Sequence, residues 1–315
     1  MDGISISAST IARITYRHAD TLMIDRPGHA LDGAEKQAGL KLHICIDGGR
    51  IRMKELVKLK NGVRKKGSFQ GNWREPILFT IHCVNEKGEL MQVLKPSYDA
   101  TMGNWDSAFK LLENWLEHYN LAESKQITFC ADGATAIWPR VKPMMNRLGV
   151  VNYNEIVDHM HAKQHANEII ELIKSQKPFH ADSITETVHE LLWQGKIDEI
   201  LAYAQTMLKP RTRALKSVKA KINGYFLQRE RFQYQSYKEA GINIGSGYVE
   251  SAIRRVINLK LKSNGTFWYK DNCERVLYLR CQLLTGRWKK LDESIDKMRF
   301  KSLTQNKVSV YDLAA

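Results

Sequence analysis

The sequence holds no stretch approaching the ~18 consecutive apolar residues of a membrane span, and its opening, MDGISISAST, lacks the basic and then apolar blocks of a secretory signal. No membrane association is expected, and the cytoplasm is the expected setting. Cysteine is scarce as well. Cys45, Cys83, Cys130, Cys273 and Cys281 are odd in number, scattered and free of CxxC spacing, which argues against a disulfide framework and a zinc knuckle. The first three sit in apolar runs and read as small core residues. There is no internal repeat or low-complexity tract, and 43% apolar with 26% charged residues excludes disordered and fibrous classes. Acids are the last shortage. Only 34 Asp and Glu face 48 Lys and Arg, a formal net charge of +14 over 315 residues, which points to a polyanionic partner.

What is present reads as alternating strands and helices. Residues 1–40 carry a short amphipathic pattern, with Ser9 and Thr10 ahead of Ile11 and Ile14, and then a linker. From Lys41, LHICID is an apolar, β-prone run ended by Gly48 and Gly49, and RIRMKELV follows with alternating character. The segment Lys58 to Glu75, with Gly62, Gly67 and Gly71 among basic residues, reads as a flexible basic loop. ILFTIHCV, a turn at Asn85 to Gly88, and LMQVLK are expected to form a hairpin. WDSAFKLLENWLEHYN steps its apolar residues by three and four, as a helix packed on a sheet does. QITFCADG and VVNYNEIVD read as further strands, each followed by a helical segment, the arrangement of parallel crossovers. Residues 181–240 are helical and basic, and Gly245-Ser246-Gly247 breaks the chain before a helix starting near Tyr248.

Three carboxylates gain a structural address from this order. Asp47 ends the first strand, Asp132 ends the fourth, and Glu250 falls in the first turn of a helix. In open sheets with parallel crossovers, functional groups gather at the carboxyl ends of strands. Converging carboxylates raise one another's pKa, a conflict that divalent cations remove. Mg²⁺ suits oxygen ligands, with Mn²⁺ as a substitute, and two such ions can promote in-line attack on a phosphodiester. Each residue also has a plainer reading. Asp-Gly at a strand end is an ordinary turn, and with Gly247 as N-cap, Glu250 would sit at N3, where an acid is favoured without catalysis. His161 and His165, four apart, could share a helical face for zinc, but no further Cys or His falls at ligand spacing.

The run INIGSGYVESAIRRVINLKLKSNGTFW, the helix with Glu274, Leu277, Leu279 and Arg280, and Leu284-Thr285-Gly286-Arg287-Trp288 closely resemble the C-terminal half of bacterial insertion-sequence DDE transposases with an RNase H-like domain, similar to the Mutator-like superfamily. ADGATAIW, LHICIDGGR and IVDHMH, like that superfamily's Asp-x-x-His motif, extend the resemblance over about Lys41 to Trp288. It implies an α/β fold: an RNase H-like mixed sheet flanked by helices, with an all-helical insertion before the C-terminal catalytic helix. The regions are then 1–40, a short helix and linker; 41–180, the core; 181–240, the insertion; 241–290, the rest of the core; and 291–315, a basic tail. The resemblance implies Asp47, Asp132 and Glu250 as catalytic and metal-binding triad, with Asp158 and His161 in support. It further implies cleavage at transposon ends, strand transfer into target DNA, a homodimer or higher oligomer on DNA, and a bacterial, nucleoid-associated location.

Arg50, Arg52, Lys54, Lys65 and Lys66 could be merely a solvated loop or, beside such a centre, a phosphate track, and Arg254 and Arg255 follow Glu250 by one helical turn, where they could similarly hold DNA. The glycine-flanked Ser246 could offer backbone N–H groups to a phosphate, and Trp138 and Trp268 could stack on flipped bases. Relatives carry a longer N-terminal DNA-binding region, so the piece SISASTIARI reads as the end of such a unit. A truncated or domesticated DNA-binding relative without transposition activity, and another RNase H-like nuclease or resolvase, are the alternatives.

Overall fold

A computed structural model describes residues 6–31, 41–58, 64–91, 95–177 and 180–298, without side chains at 56–58 and 64–70. Two sheets form. The main one joins β1 (Lys41–Gly48), β4 (Ile77–Val84), β5 (Ser97–Thr101), β6 (Gln126–Ala131) and β7 (Asn154–Val157) in the order β5-β4-β1-β6-β7. β4 runs antiparallel to β1 and β5, whereas β6 runs parallel to β1 and β7. The other is a hairpin of β2 (Ile51–Lys58) and β3 (Arg64–Arg74).

Central strands covered on both faces read as continuous apolar runs rather than alternating ones. Every residue of β4 is buried, as are Leu42 to Ile46 of β1. Helix α1 (Ala8–Leu22) and the short α2 (Arg26–Ala30) precede the sheet. α3 (Trp105–Leu116) is capped by Asn104, whose side chain accepts from Ser107 N–H, and it buries Phe109, Leu112, Trp115 and Leu116. Burial of such side chains stabilises by roughly 1.5–3 kcal/mol each. α4 (Trp138–Arg147) links β6 to β7, and α5 (His159–Lys174) follows β7. The chain then packs α6 (Ala181–Trp193), α7 (Ile197–Met207), α8 (Arg213–Asn223) and α9 (Tyr234–Glu239) as a helical layer, with α6 and α8 against α5. α10 (Gly247–Ile253) brings it back onto β1 and β4, and α11 (Lys270–Leu284) packs on β5 and α1.

Two expectations need correction. From Arg64 the Gly-containing basic segment is not a loop but β3, paired with β2 from Ile51↔Arg74 to Lys58↔Arg64; residues 59–63 lie outside the described ones. Its glycines hide the strand signal, and Gly71 has a packing reason, since a Cβ there would stand 2.8 Å from the Phe267 ring. Among the described residues, the expected partner of β4, LMQVLK, pairs with its end alone, through the Val84↔Leu90 bridge and Met91 N–H to Cys83 O (3.0 Å), and residues 92–94 lie outside the described ones. The outer neighbour of β4 is β5, the polar SYDAT, which aligns Ile77 with Thr101. Its Asp99 is fully buried and accepts from the Arg26 guanidinium (2.9 Å), the Trp115 indole (2.9 Å) and Ala100 N–H (2.8 Å).

No helix among the described residues is long and apolar enough to cross a membrane.

Candidate active site at the ends of the parallel strands

Parallel pairing of Ile46 with Ala131, and of Ala131 with Val157, sets Asp47, Asp132 and Asp158 side by side at the ends of β1, β6 and β7. Neighbouring strands lie about 4.8 Å apart, so these residues form a short acidic row. Asp158 N–H continues the ladder by donating to Ala131 O at 2.8 Å.

Asp158 is the most committed of the row. It is 1% exposed and caps α5, with Oδ1 accepting from His161 N–H (2.8 Å) and pairing with His161 Nδ1 (2.9 Å). Its Oδ2 accepts from Ser246 N–H at 2.6 Å. Burial works against its ionisation, but the His161 side chain and the two N–H groups outweigh it and pull the carboxyl down to about 2. The same contact raises the His161 imidazole above its ordinary pKa.

Ser246 joins this arm of the site to the helix bearing the glutamate. It is the N-cap of α10, so Glu250 sits one position later than the expected N3, and the Ser246 hydroxyl donates to Glu250 Oε1 at 3.2 Å. Glu250 is exposed. Oxygen or nitrogen atoms of Asp158, His161 and Glu250 lie within 4.8 Å of one another, and these residues could hold a metal ion.

Asp47 and Asp132, expected with Glu250 as the metal-binding triad, are not in that close group; they stand beside it on the neighbouring strand ends. Burial pushes Asp47 up to about 6, helped by repulsion from Asp132 and Glu250 and opposed by its hydrogen bond from Gly48 N–H and by His161. Neighbouring carboxylates beside a three-residue donor set of oxygens and an imidazole fit a bound cation. Asp132 Oδ1 also makes the plainer turn contact, accepting from Ala134 N–H at 2.9 Å.

Several expectations resolve differently. His165 does not join His161; its ring stacks on Tyr225 at 3.8 Å between centroids. Gly245 N–H donates to Asn243 Oδ1 and Ser246 N–H to Asp158, so this turn has committed those groups to protein oxygens rather than to a phosphate. Trp138 is buried, with its indole N–H donating to Asp132 O and Arg231 over its ring. Trp268 is half-buried and donates to Leu261 O. Neither tryptophan offers an open stacking face of the kind expected.

Among the cations, Arg50 and Arg254 are exposed, while Arg52 and Lys54 are half-buried on β2. Arg255 turns back, donating to Ser251 O and lying over Tyr98. Lys65 and Lys66 fall on β3, and their side chains lie outside the described ones.

Two site neighbours escaped sequence reasoning. Ser246 was visible only as part of a Gly-Ser-Gly break. Tyr225, from the turn after α8, leans over Gly133 so closely that a Cβ there would run into its ring. No protein-family model and no curated protein matches this chain.

Proposed function

We propose that this chain is a divalent-metal-dependent DNA transposase built on an RNase H-like core. The observation that carries the reading is the row of Asp47, Asp132 and Asp158 at three adjacent strand ends, with Ser246 tying Asp158 to Glu250. The sheet order, antiparallel on one side of β1 and parallel on the other, supports the fold assignment.

Asp47, Asp132 and Glu250 are the residues that would hold two Mg²⁺ ions, or Mn²⁺ in their place, with Asp158 and His161 completing the group. When bound, such ions would supply activation of a water or a 3′-hydroxyl and charge stabilisation for the departing oxygen in phosphodiester cleavage and strand transfer. The protein's part is positional. Asp158 fixes His161 and the start of α10, so Glu250 is presented from a helix braced against β1 and β4. Arg50, Arg52, Lys54 and Arg254 provide phosphate contacts that set the position of DNA without reading its sequence. Copies of the chain would assemble on paired transposon ends.

A strand-transfer assay with the DNA ends flanking the gene, a plasmid target and Mg²⁺ tests this. Joined products are expected from the parent and not from Asp47→Asn, Asp132→Asn or Glu250→Gln. Cleavage without joining would assign a nuclease or resolvase. DNA binding unaffected by those substitutions, with no cleavage by the parent, would assign a non-catalytic relative.

A further inference from the structure

The hairpin that leaves the acidic row carries a surface of its own. Trp73 of β3 is 42% exposed, and three cations converge on it. Arg52 lies 5.0 Å, Arg50 5.5 Å and Lys262 5.7 Å from its ring centroid. Arg52 also lies 6.0 Å from the Phe267 ring, and Lys54 is 5.4 Å from that of the exposed Tyr269. The segment bearing Phe267 and Tyr269 is fastened to β2 by Lys54 N–H to Trp268 O (2.7 Å) and Trp268 N–H to Arg52 O (3.0 Å). Three stretches far apart in the chain thus make one basic, aromatic face, which begins three residues after Asp47.

Each cation gains from the ring's negative face. The cations also repel one another, and among the described residues none of Arg50, Arg52 and Lys262 makes an ion pair with a carboxylate. Converging positive charge around an exposed indole matches a strand that presents phosphates and bases together. Duplex DNA satisfies the cations but keeps its bases stacked inside, away from the ring.

We infer that this face binds an unpaired DNA strand, with a base stacked on Trp73 and its phosphates held by Arg50, Arg52 and Lys262. The strand would be the one frayed or displaced beside the acidic centre. The assignment rests on the DNA reading above, but it concerns binding and needs no catalysis.

The test is fluorescence anisotropy in EDTA, with a labelled oligonucleotide of about 12 nucleotides, single-stranded or as a duplex, a length within the span of known single-strand sites. Stacking is worth about 1–3 kcal/mol per base, so Trp73→Ala should weaken single-strand binding roughly 5- to 150-fold. Trp73→Phe should restore most of it, and duplex binding should change less than about twofold, since the phosphate contacts remain. Circular dichroism at the assay temperature should match the parent, whatever the cations lose in melting temperature without the ring. Equal losses for both forms of DNA, or none for the single strand, would overturn the inference. So would a parent that ignores single strands. An Asp132→Asn protein must show the same Trp73 dependence. If it does while strand transfer fails in the parent, the transposase reading falls and the stacking surface stands; the converse pattern removes the surface and leaves the reading.

Discussion

Asp158→Ala separates architecture from chemistry at the candidate site. The carboxylate serves two structural tasks at once: it caps α5 through His161 N–H and satisfies Ser246 N–H, which belongs to a residue only 3% exposed. Loss of the cap costs about 1 kcal/mol. Leaving Ser246 N–H buried without an acceptor costs about 1–3 kcal/mol more. The sum is about 2–4 kcal/mol, a large share of the stability of an ordinary domain. Asp158→Asn keeps one accepting oxygen, which can serve His161 N–H or Ser246 N–H but not both, and should fall between parent and Ala. Glu250→Ala is the control, because Glu250 is exposed and a change there should stay within about 0.5 kcal/mol. Urea unfolding followed by circular dichroism reads all three, with midpoints shifting while the slope holds. Parent-like stability in Asp158→Ala would refute the bracing role, and a Glu250→Ala loss as large would show that the two residues do not divide the work this way.

Arg26→Ala should destabilise by about 3–5 kcal/mol, because it strips the buried Asp99 of its cation. Burial already pushes Asp99 up against the pull of Arg26, and without Arg26 it rises further, so the folded state binds the proton more readily than the unfolded one. The deficit should therefore shrink as pH falls from neutrality through the raised folded pKa; urea midpoints across that range check it, and a constant deficit would contradict it. Mg²⁺ or Mn²⁺ should raise the melting temperature, by about 2.7 kcal/mol of stability at 100 times the dissociation constant, with EDTA reversing the gain and Glu250→Ala diminishing it. Arg254→Gln should lower the salt slope of DNA binding by about 0.9, whereas Glu250→Gln in EDTA should tighten binding about two- to threefold, the effect of one charge some 6–8 Å from a phosphate in water.

The parallel half of the sheet was legible because its strands are covered on both faces, so LHICID and QITFCAD read as apolar runs with a carboxylate at the end. Asp158 and His161 entered through the resemblance to the Asp-x-x-His motif, and the structure joins them at a helix start by a contact between residues three apart. β5 escaped notice because its central Asp99 finds its partners 73 residues back, at Arg26, and 16 residues on, at Trp115. β3 escaped through its glycines, one of which makes room for Phe267. Trp138 and Trp268 looked available, whereas the exposed Trp73 lay in a stretch read as loop. Exposure of an aromatic depends on long-range packing, and no local pattern encodes it.

A net charge of +14 describes attraction at a distance, not the surface a nucleic acid meets on arrival. Asp47, Asp132 and Asp158 stand side by side at three strand ends, Glu250 lies next to Asp158, and repulsion from Asp132 and Glu250 adds to the burial that pushes Asp47 up. A phosphate approaching them alone would be repelled. The cations stand to one side, on the hairpin that starts just after Asp47 and on the turn just after Glu250. Charges in solvent are screened beyond about 8 Å at physiological salt, so the hairpin can grip a backbone whose next phosphates lie over the acids without cancelling the acids' repulsion. On the proposed function, affinity and chemistry would fall on adjacent but separate surfaces. The division explains why a basic chain can carry an acidic centre, and why neutralising an acid and neutralising a cation should move DNA affinity in opposite directions.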